Sequence, residues 1–149
     1  LNSLSKPYNM TGWRIGMAMG NPQIIAAISK VKENTDSGIF NAVQFAGIKA
    51  LQNENENITR MLEIYRKRRE LVLGTLKKIG IDFKAPKGTF YLWVKWAPGD
   101  PERQWNALAD RGVFVLPGSV MNAPDYFRIS LTASDEMVTR ALPAFAQAP

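Results

Sequence analysis

The first sixteen residues, LNSLSKPYNMTGWRIG, bring together two cations, two serines and turn-forming residues. Lys6 and Arg14 stand eight residues apart, and Ser3 and Ser5 precede the lysine. An arginine presents a planar fork of N–H donors that suits a phosphate, and each charge-assisted hydrogen bond contributes about 1.5–3 kcal/mol. Serine hydroxyls add further hydrogen bonds, and Gly12 permits close approach of the backbone to a ligand. The segment therefore suits a small anionic ligand better than a hydrophobic core.

Lys6 is also a candidate nucleophile. A lysine amine reacts only when it is neutral, so it must be desolvated or lie near other positive charge. Arg14 supplies that charge if the NMTG turn folds the chain back on itself. Because most loop lysines are ordinary surface residues, the residue types alone leave both interpretations open.

The whole string resembles the lysine signature of the fold-type-I pyridoxal-phosphate aminotransferases, the aspartate aminotransferase family. Every constrained position of that signature agrees here: Ser3, Leu4, Ser5, Lys6, Asn9, Met10, Gly12, Arg14, Ile15 and Gly16. The resemblance implies that Lys6 forms the internal aldimine, a Schiff base, with pyridoxal 5'-phosphate. It also implies that Ser3 and Arg14 bind the cofactor's phosphate.

A second candidate site residue, Arg128, lies in the segment YFRISLTAS. On an alternating strand, Arg128 points opposite to its apolar neighbours Phe127 and Ile129. A bidentate guanidinium–carboxylate pair there fixes both the position and the orientation of a ligand, whereas the alternative is a strand arginine that faces solvent. The segment resembles the family's C-terminal strand, in which an arginine binds the α-carboxylate of the substrate. The resemblance implies that role for Arg128.

Composition limits the other chemistries. The 149 residues contain no Cys and no His, which excludes disulfides, thiolate chemistry and the commonest metal ligand, so we predict no metal site. No apolar run approaches the roughly 20 residues that span a bilayer, so we predict no membrane association. The lack of cysteine is compatible with an intracellular protein, and we predict a cytoplasmic location.

The net charge of +6 raises the question of a nucleic-acid partner. The densest basic cluster, Arg66 to Arg69, lies in a segment with apolar residues at about helical spacing. These apolar residues are Ile58, Met61, Leu62, Tyr65, Leu71, Val72 and Leu76. The cations mostly occupy the remaining, outward-facing positions, which favours a solvated helix face over a nucleic-acid surface. We therefore predict no nucleic-acid partner.

Cap residues and hydrophobic periodicity predict the elements of the first half. The segment IGMAMG is typical of a short buried strand. Asn21-Pro22 predicts a helix from Pro22 to about Glu33, and IFNAVQFAGIKALQ predicts a second helix. The longest helix is expected over residues 56–79, and Gly80 ends it.

The period changes in the second half. GTFYLWVKW, VFVL and YFRISL predict three strands. Asp100-Pro101 caps a helix that runs to about Arg111, and Gly112 ends it. Ser134-Asp135-Glu136 begins a last helix, which Pro143 bends or ends. The predicted fold class is α/β, with an α+β arrangement of a small sheet covered by helices in the smaller domain.

The resemblance extends over nearly all 149 residues. It implies a part of the pyridoxal-phosphate transferase fold in which residues 1–52 end the large cofactor-binding domain and its sheet. Residues 53–80 are then a connecting helix, and residues 81–149 a small C-terminal domain. PKGTFYLWVK resembles the strand that enters the small domain, GVFVLPGSV the segment at the site entrance, and SGIFNAVQFAGIKAL a helix near the partner subunit.

The same resemblance implies an enzyme that transfers an amino group between an L-amino acid and a 2-oxo acid, with Lys6 as the proton carrier. Family sites lie at a subunit interface, so we expect a homodimer. The family's partner for the pyridinium nitrogen, its ring-stacking aromatic and part of its phosphate loop have no counterpart here. We therefore expect the chain to be the C-terminal part of the enzyme and to be inactive by itself.

Two alternative functions stay open. Pyridoxal-phosphate lyases and synthases, C–S lyases among them, share the lysine, serine and arginine on the same fold. Aminotransferase-like domains also occur as non-catalytic ligand sensors fused to DNA-binding domains in transcription regulators.

Overall fold

The computed structural model describes residues 1–52 and 54–147. The chain divides into two compact units, Leu1–Met61 and Leu62–Pro149. The predicted start of the connecting helix, residue 53, and the last two residues of the predicted small domain lie outside the described residues. The predicted three-part division stays a prediction.

The first unit begins with a two-stranded antiparallel ribbon. Strand β1, Asn2–Ser3, pairs with β2, Gly16–Met17, and Ser3 lies opposite Gly16. A Cβ atom on Gly16 would lie 2.8 Å from the carbonyl oxygen of Asn2, so the close pairing requires glycine. The prediction of a buried strand over IGMAMG is wrong in length and in burial. Only Gly16 and Met17 of this segment form a strand, β1 is its one partner within the described residues, and Met17 is half-buried.

Helix α1, Pro22–Glu33, has the predicted bounds. The side-chain oxygen of Asn21 accepts hydrogen bonds from the backbone N–H groups of Gln23 and Ile24, at 2.9 and 3.4 Å. Proline fits the first helical position because its fixed φ suits the helix and the missing N–H would have no helical acceptor. The N-cap and the proline therefore determine where α1 begins.

Helix α2, Asn41–Gln52, packs through a glycine against the residues that follow β1 and precede β2. A Cβ atom on the buried Gly47 would lie 2.8 Å from Cδ1 of Ile15 and 3.3 Å from Cδ1 of Leu4. The absence of a side chain at this position lets α2 approach the segment that carries Lys6.

Helix α3, Glu54–Lys78, is the longest, as predicted. It ends where Gly80 adopts a φ of +73°, and the N–H of Ile81 donates to the carbonyl of Leu76 at 3.0 Å. Val72 and Leu76 are buried, but Leu62 and Leu71 of the predicted apolar set are exposed by 59% and 44%.

The basic cluster on α3 is only partly the predicted solvated face. Arg66 is exposed and pairs with Glu63 and Glu70, and hydrogen bonding to Arg66 lowers the pKa of Glu63 while raising that of Arg66. Arg68 instead binds Asp135 at 2.5 Å and donates to the carbonyl of Leu131 at 3.0 Å. This guanidinium joins α3 to the chain that follows the last strand.

The second unit contains a three-stranded antiparallel sheet in the order β3-β5-β4. Its strands are β3, Tyr91–Lys95; β4, Leu116–Pro117; and β5, Tyr126–Ser130. The predicted VFVL strand is wrong over most of its length, since only Leu116 belongs to β4. The carbonyl of Val115 accepts a hydrogen bond from the Trp105 indole at 2.9 Å instead of a bond from a neighbouring strand.

Two helices flank this sheet. Helix α4, Pro101–Ala109, is capped by Asp100 as predicted but ends before Arg111, where Gly112 has a φ of +76°. Helix α5, Asp135–Gln147, continues through Pro143. Pro143 does not end the helix, and it lies on the exposed side, where water can bond a carbonyl that loses its helical donor.

The core of the second unit lies between the sheet and its helices. Its fully buried side chains are Leu76, Leu92, Val94, Leu108, Phe127 and Leu131. The Trp96 and Phe127 rings lie 4.2 Å apart, and Phe145 of α5 closes the same cluster. One face of the sheet is thereby covered, while Arg128 lies on the other. Across the described ranges, no helix has a stretch long and apolar enough to cross a bilayer.

Candidate functional site

The loop between β1 and β2, residues 3–16, carries Lys6 and is called the lysine loop below. The N–H of Leu4 donates to the carbonyl of Ile15 at 3.3 Å, which closes the loop at its base. The N–H of Asn9 donates to the carbonyl of Lys6 at 3.4 Å, and Asn9 has a φ of +54°. The chain therefore reverses shortly after the lysine, as the NMTG turn predicts.

Arg14 lies at the other end of this reversal. It has a φ of +52°, which is uncommon for a residue with a side chain. Its guanidinium donates to the carbonyl of Thr11 at 2.9 Å, and the Thr11 hydroxyl donates to the carbonyl of Ser5 at 3.1 Å. These bonds link both arms of the lysine loop and hold Arg14 in its left-handed conformation. Strained backbone of this kind is concentrated at functional sites.

The two serines meet at the base of the lysine loop. The Ser3 hydroxyl donates to that of Ser5 at 2.9 Å and lies 3.4 Å from the carbonyl of Ile15, the residue after Arg14. Ser3, Lys6 and Arg14 are all exposed. The loop thus carries hydroxyl, ammonium and guanidinium donors at exposed positions, and these donor types suit a phosphate dianion.

Apolar side chains on the opposite side hold this loop in place. Leu4 and Met10 are 3% and 7% exposed, and Leu4 meets α2 beside Gly47. Alternation of buried and exposed residues therefore keeps the backbone fixed while Lys6 remains accessible to a ligand.

Arg128 lies in the second unit, at the centre of the sheet. It pairs with Trp93 of β3 and Leu116 of β4, and it is half-buried between the buried Phe127 and Ile129, as the alternation predicts. Its guanidinium carbon lies 4.2 Å from the centre of the Tyr91 ring. Its Nε atom is buried and has no hydrogen-bond partner among the described residues. Such an unsatisfied donor favours a group that accepts hydrogen bonds.

Tyr91 is a residue that sequence reasoning missed. It lies on the same sheet face as Arg128 only because the β3–β5 register places Trp93 opposite Arg128. Alternation within each strand assigns faces, but strand order and register come from the fold, so the sequence pattern held no direct signal for this contact.

The predicted site residues therefore fall into two groups. Ser3, Lys6 and Arg14 belong to the same loop of the first unit, and Arg128 belongs to the second unit. Among the residues that the structure describes, no three acidic side chains are grouped to hold a metal ion.

A closed lysine loop, a long helix and a helix-covered antiparallel sheet are features that the resemblance to the pyridoxal-phosphate transferase fold implies. The chain belongs to the family of class I and II aminotransferases, whose sequence profile matches residues 1–145. Enzymes of this family depend on pyridoxal phosphate. The predicted family and fold class are confirmed.

Curated relatives support this assignment. The chain is 46% identical to the LL-diaminopimelate aminotransferase of Oleidesulfovibrio alaskensis over 145 residues, which cover 95% of the chain and 37% of the relative. It is 43% identical over 150 residues to an enzyme of the same name from Nitratidesulfovibrio vulgaris, covering 98% and 39%. The chain thus spans about two fifths of the length of these relatives.

Solved structures agree. A Thermotoga maritima aspartate aminotransferase is 34% identical with a TM-score of 0.87, and the match covers 98% of this chain and 38% of that one. A Thermus thermophilus aspartate aminotransferase mutant is 33% identical with a TM-score of 0.91, covering 99% and 40%. These matches do not favour the lyase and regulator alternatives.

Proposed function

We propose that this chain is the C-terminal part of an aminotransferase that moves an amino group between an L-amino acid and a 2-oxo acid. The observation that carries the proposal is the lysine loop. It agrees with the family's lysine signature, and it carries Ser3, Lys6 and Arg14 at exposed positions of one loop.

In this proposal, Lys6 binds pyridoxal phosphate covalently, while Arg14 and Ser3 bind the phosphate. The Ser3 hydroxyl, 3.4 Å from the carbonyl of the residue after Arg14, would add a hydrogen bond to that of the guanidinium, which carries the opposite charge to the phosphate. When bound, the cofactor withdraws electrons from the α-carbon of the substrate. Once the substrate amine has replaced Lys6 on the cofactor, the freed Nζ amine of Lys6 would accept the proton that leaves that α-carbon, as a general base.

Arg128 binds the α-carboxylate of the substrate. A carboxylate accepts two parallel hydrogen bonds from a guanidinium, so the fork determines which way the α-carbon points as well as where it lies. The buried, unpartnered Nε of Arg128 supports this role, because no protein carboxylate among the described residues occupies the fork at that atom.

The proposed substrate class is a dicarboxylic amino acid. Curated relatives at 42–46% identity are named LL-diaminopimelate aminotransferases, and the solved relatives include aspartate aminotransferases. LL-diaminopimelate is the first amino donor to test and L-aspartate the second.

We further propose a homodimer in the cytoplasm, where amino acids and 2-oxo acids are interconverted. Helix α2 exposes Phe45 by 69% and Ile48 by 50%, an apolar face of the kind that subunit interfaces cover. The proposed domain limits are those predicted from the sequence: residues 1–52, 53–80 and 81–149.

The direct experiment uses the complete protein that contains this chain. LL-diaminopimelate or L-aspartate is added without any 2-oxo acid, and the absorption spectrum is followed. We expect the cofactor to convert from its aldehyde form to pyridoxamine phosphate, with release of one equivalent of 2-oxo acid. The Lys6→Ala variant should lose this conversion, whereas Lys30→Ala, at an exposed position on α1, should retain it.

Two results would reject the proposal. Release of ammonia and an oxo acid without pyridoxamine phosphate would assign a lyase. Binding of amino acid without any spectral conversion or product would assign a ligand sensor.

A further inference from the structure

We propose that Tyr91 is a positioning residue for Arg128, holding the guanidinium over its ring so that the N–H edge is presented to a substrate carboxylate. The inference rests on the proposed function only for the identity of that carboxylate. Nothing in the lysine signature or in the Arg128 strand motif involves Tyr91.

The contact itself is short. The guanidinium carbon of Arg128 lies 4.2 Å from the centroid of the Tyr91 ring, well within the distance at which a cation is attracted to an aromatic face. A guanidinium above a ring is held through its face, and its N–H donors lie along its edge. The ring therefore fixes the cation without occupying the donors that bind a carboxylate.

Arg68 of the same unit shows the opposite arrangement. Its donors are used by Asp135 and by the carbonyl of Leu131, and its guanidinium carbon lies 5.8 Å from the centre of the Tyr65 ring. Arg128 has the closer ring and a buried Nε with no partner among the described residues. Arg68 therefore donates to protein acceptors, whereas the Nε donor of Arg128 can bind a ligand.

The surroundings of Tyr91 fix its ring. Tyr91 pairs with Ser130 and is thus the diagonal cross-strand neighbour of Arg128. Its ring lies 4.6 Å from that of Phe90, which in turn stacks on Tyr65 at 5.5 Å. The aromatic series connects Tyr91 to α3, so the ring cannot move away freely from Arg128.

The backbone before Tyr91 is held in an unusual conformation. Thr89 has a φ of +74°, a genuine outlier for a β-branched residue, and its hydroxyl accepts a hydrogen bond from the N–H of Tyr91 at 3.2 Å. Backbone strain is concentrated at functional sites, so the strained Thr89 supports a role for Tyr91 in orienting Arg128.

The test compares Tyr91→Phe with Tyr91→Leu in the complete enzyme. Tyr91→Phe keeps the aromatic face and should retain the KM for the amino acid. Tyr91→Leu should raise that KM about 3- to 30-fold, the range of a partly desolvated cation–π contact, with a smaller change in kcat. It should weaken inhibition by maleate similarly while leaving the cofactor content unchanged.

A second series of variants tests the same contact even if Tyr91→Leu fails to fold. Fluorinated phenylalanines at position 91 keep the shape of the ring but weaken the negative charge of its face. The KM and the maleate inhibition constant should rise with each added fluorine. Constants that do not change across the series, or equal losses for phenylalanine and leucine, would overturn the positioning role.

The two proposals fail separately. If the unsubstituted enzyme transaminates but the fluorinated series shows no trend, only the role of Tyr91 is lost. If the unsubstituted protein converts no amino acid, the proposed function fails, while maleate affinity across the series still decides whether Tyr91 positions Arg128.

Discussion

Gly118 shows at the scale of one residue how the chain turns between β4 and β5. A Cβ atom at this buried glycine would overlap the carbonyl oxygen of Ala123 and lie 2.5 Å from that of Tyr126. Both obstacles are backbone atoms, so they cannot turn aside as a flexible side chain can. The position of β5, and with it that of Arg128, therefore depends on a residue without a side chain.

We expect Gly118→Ala to lower the free energy of unfolding of the second unit by about 1–3 kcal/mol or more. Gly74→Ala is the matched control, because no atom lies within 4 Å of the added methyl group on α3. It should raise the free energy of unfolding by about 0.5–1 kcal/mol. Urea unfolding followed by tryptophan fluorescence measures both, and equal stability of the two variants would contradict the packing described.

The candidate site residues differ in how far the sequence predicts them. Ser3, Lys6 and Arg14 lie within one short signature, so local spacing is enough to propose their roles. Arg128 required its strand context, since an isolated arginine between apolar residues is also typical of a solvent-facing position. Tyr91 required the pairing of two strands separated by a helix and a further strand, which a local pattern does not contain.

At the scale of the elements, Arg68 links helix α3 to the start of helix α5. Arg68, with a side chain only 16% exposed, pairs with Asp135 at the start of α5 and with the carbonyl of Leu131. Leu131 follows β5 directly, so this link also fixes the chain just after Arg128.

We expect Arg68→Met to reduce the free energy of unfolding by about 1–3 kcal/mol, because a buried carbonyl and an ion pair lose their donor. Arg66→Met is the matched control, because Arg66 also lies on α3 but its ion pairs with Glu63 and Glu70 are exposed. Its effect on the free energy of unfolding should be clearly smaller. Denaturant titration of the two variants measures the difference. Equal losses would mean that Arg68 contributes no more than an exposed ion pair.

At this scale, the sequence predicts elements that depend on local signals. The start of α1 follows from Asn21 and Pro22, and the end of α3 from Gly80. The short β4 was not predictable in the same way, because the Trp105 indole takes the carbonyl of Val115. Pro143 was expected to bend or end α5, yet the helix continues past it on an exposed side.

The two units differ at the scale of the whole molecule. The second has a buried core, whereas the first buries Leu4 and Met10 but exposes Ile24 and Val31 of α1 by 61% and 67%. A helix of this length is marginal without packing. Because the chain spans about two fifths of its relatives' length, we expect the complete protein to cover these apolar side chains.

Hydrogen exchange tests that expectation. In the 149-residue chain by itself, amides of α1 should exchange at least about 100-fold faster than those of β3 and β5, because exchange follows local opening. In the complete protein, α1 should become protected while β3 and β5 change little. Strong protection of α1 in the isolated chain would contradict the expectation.

The attachment of the cofactor to Lys6 is the central claim, and one measurement tests it most directly. The complete protein, as purified with its cofactor, is reduced with borohydride, digested with trypsin and analysed by mass spectrometry. We predict a single phosphopyridoxyl group on Lys6, in the peptide that ends at Arg14, and its loss in Lys6→Ala. The same group on another lysine, with Lys6 unmodified, would contradict the assignment.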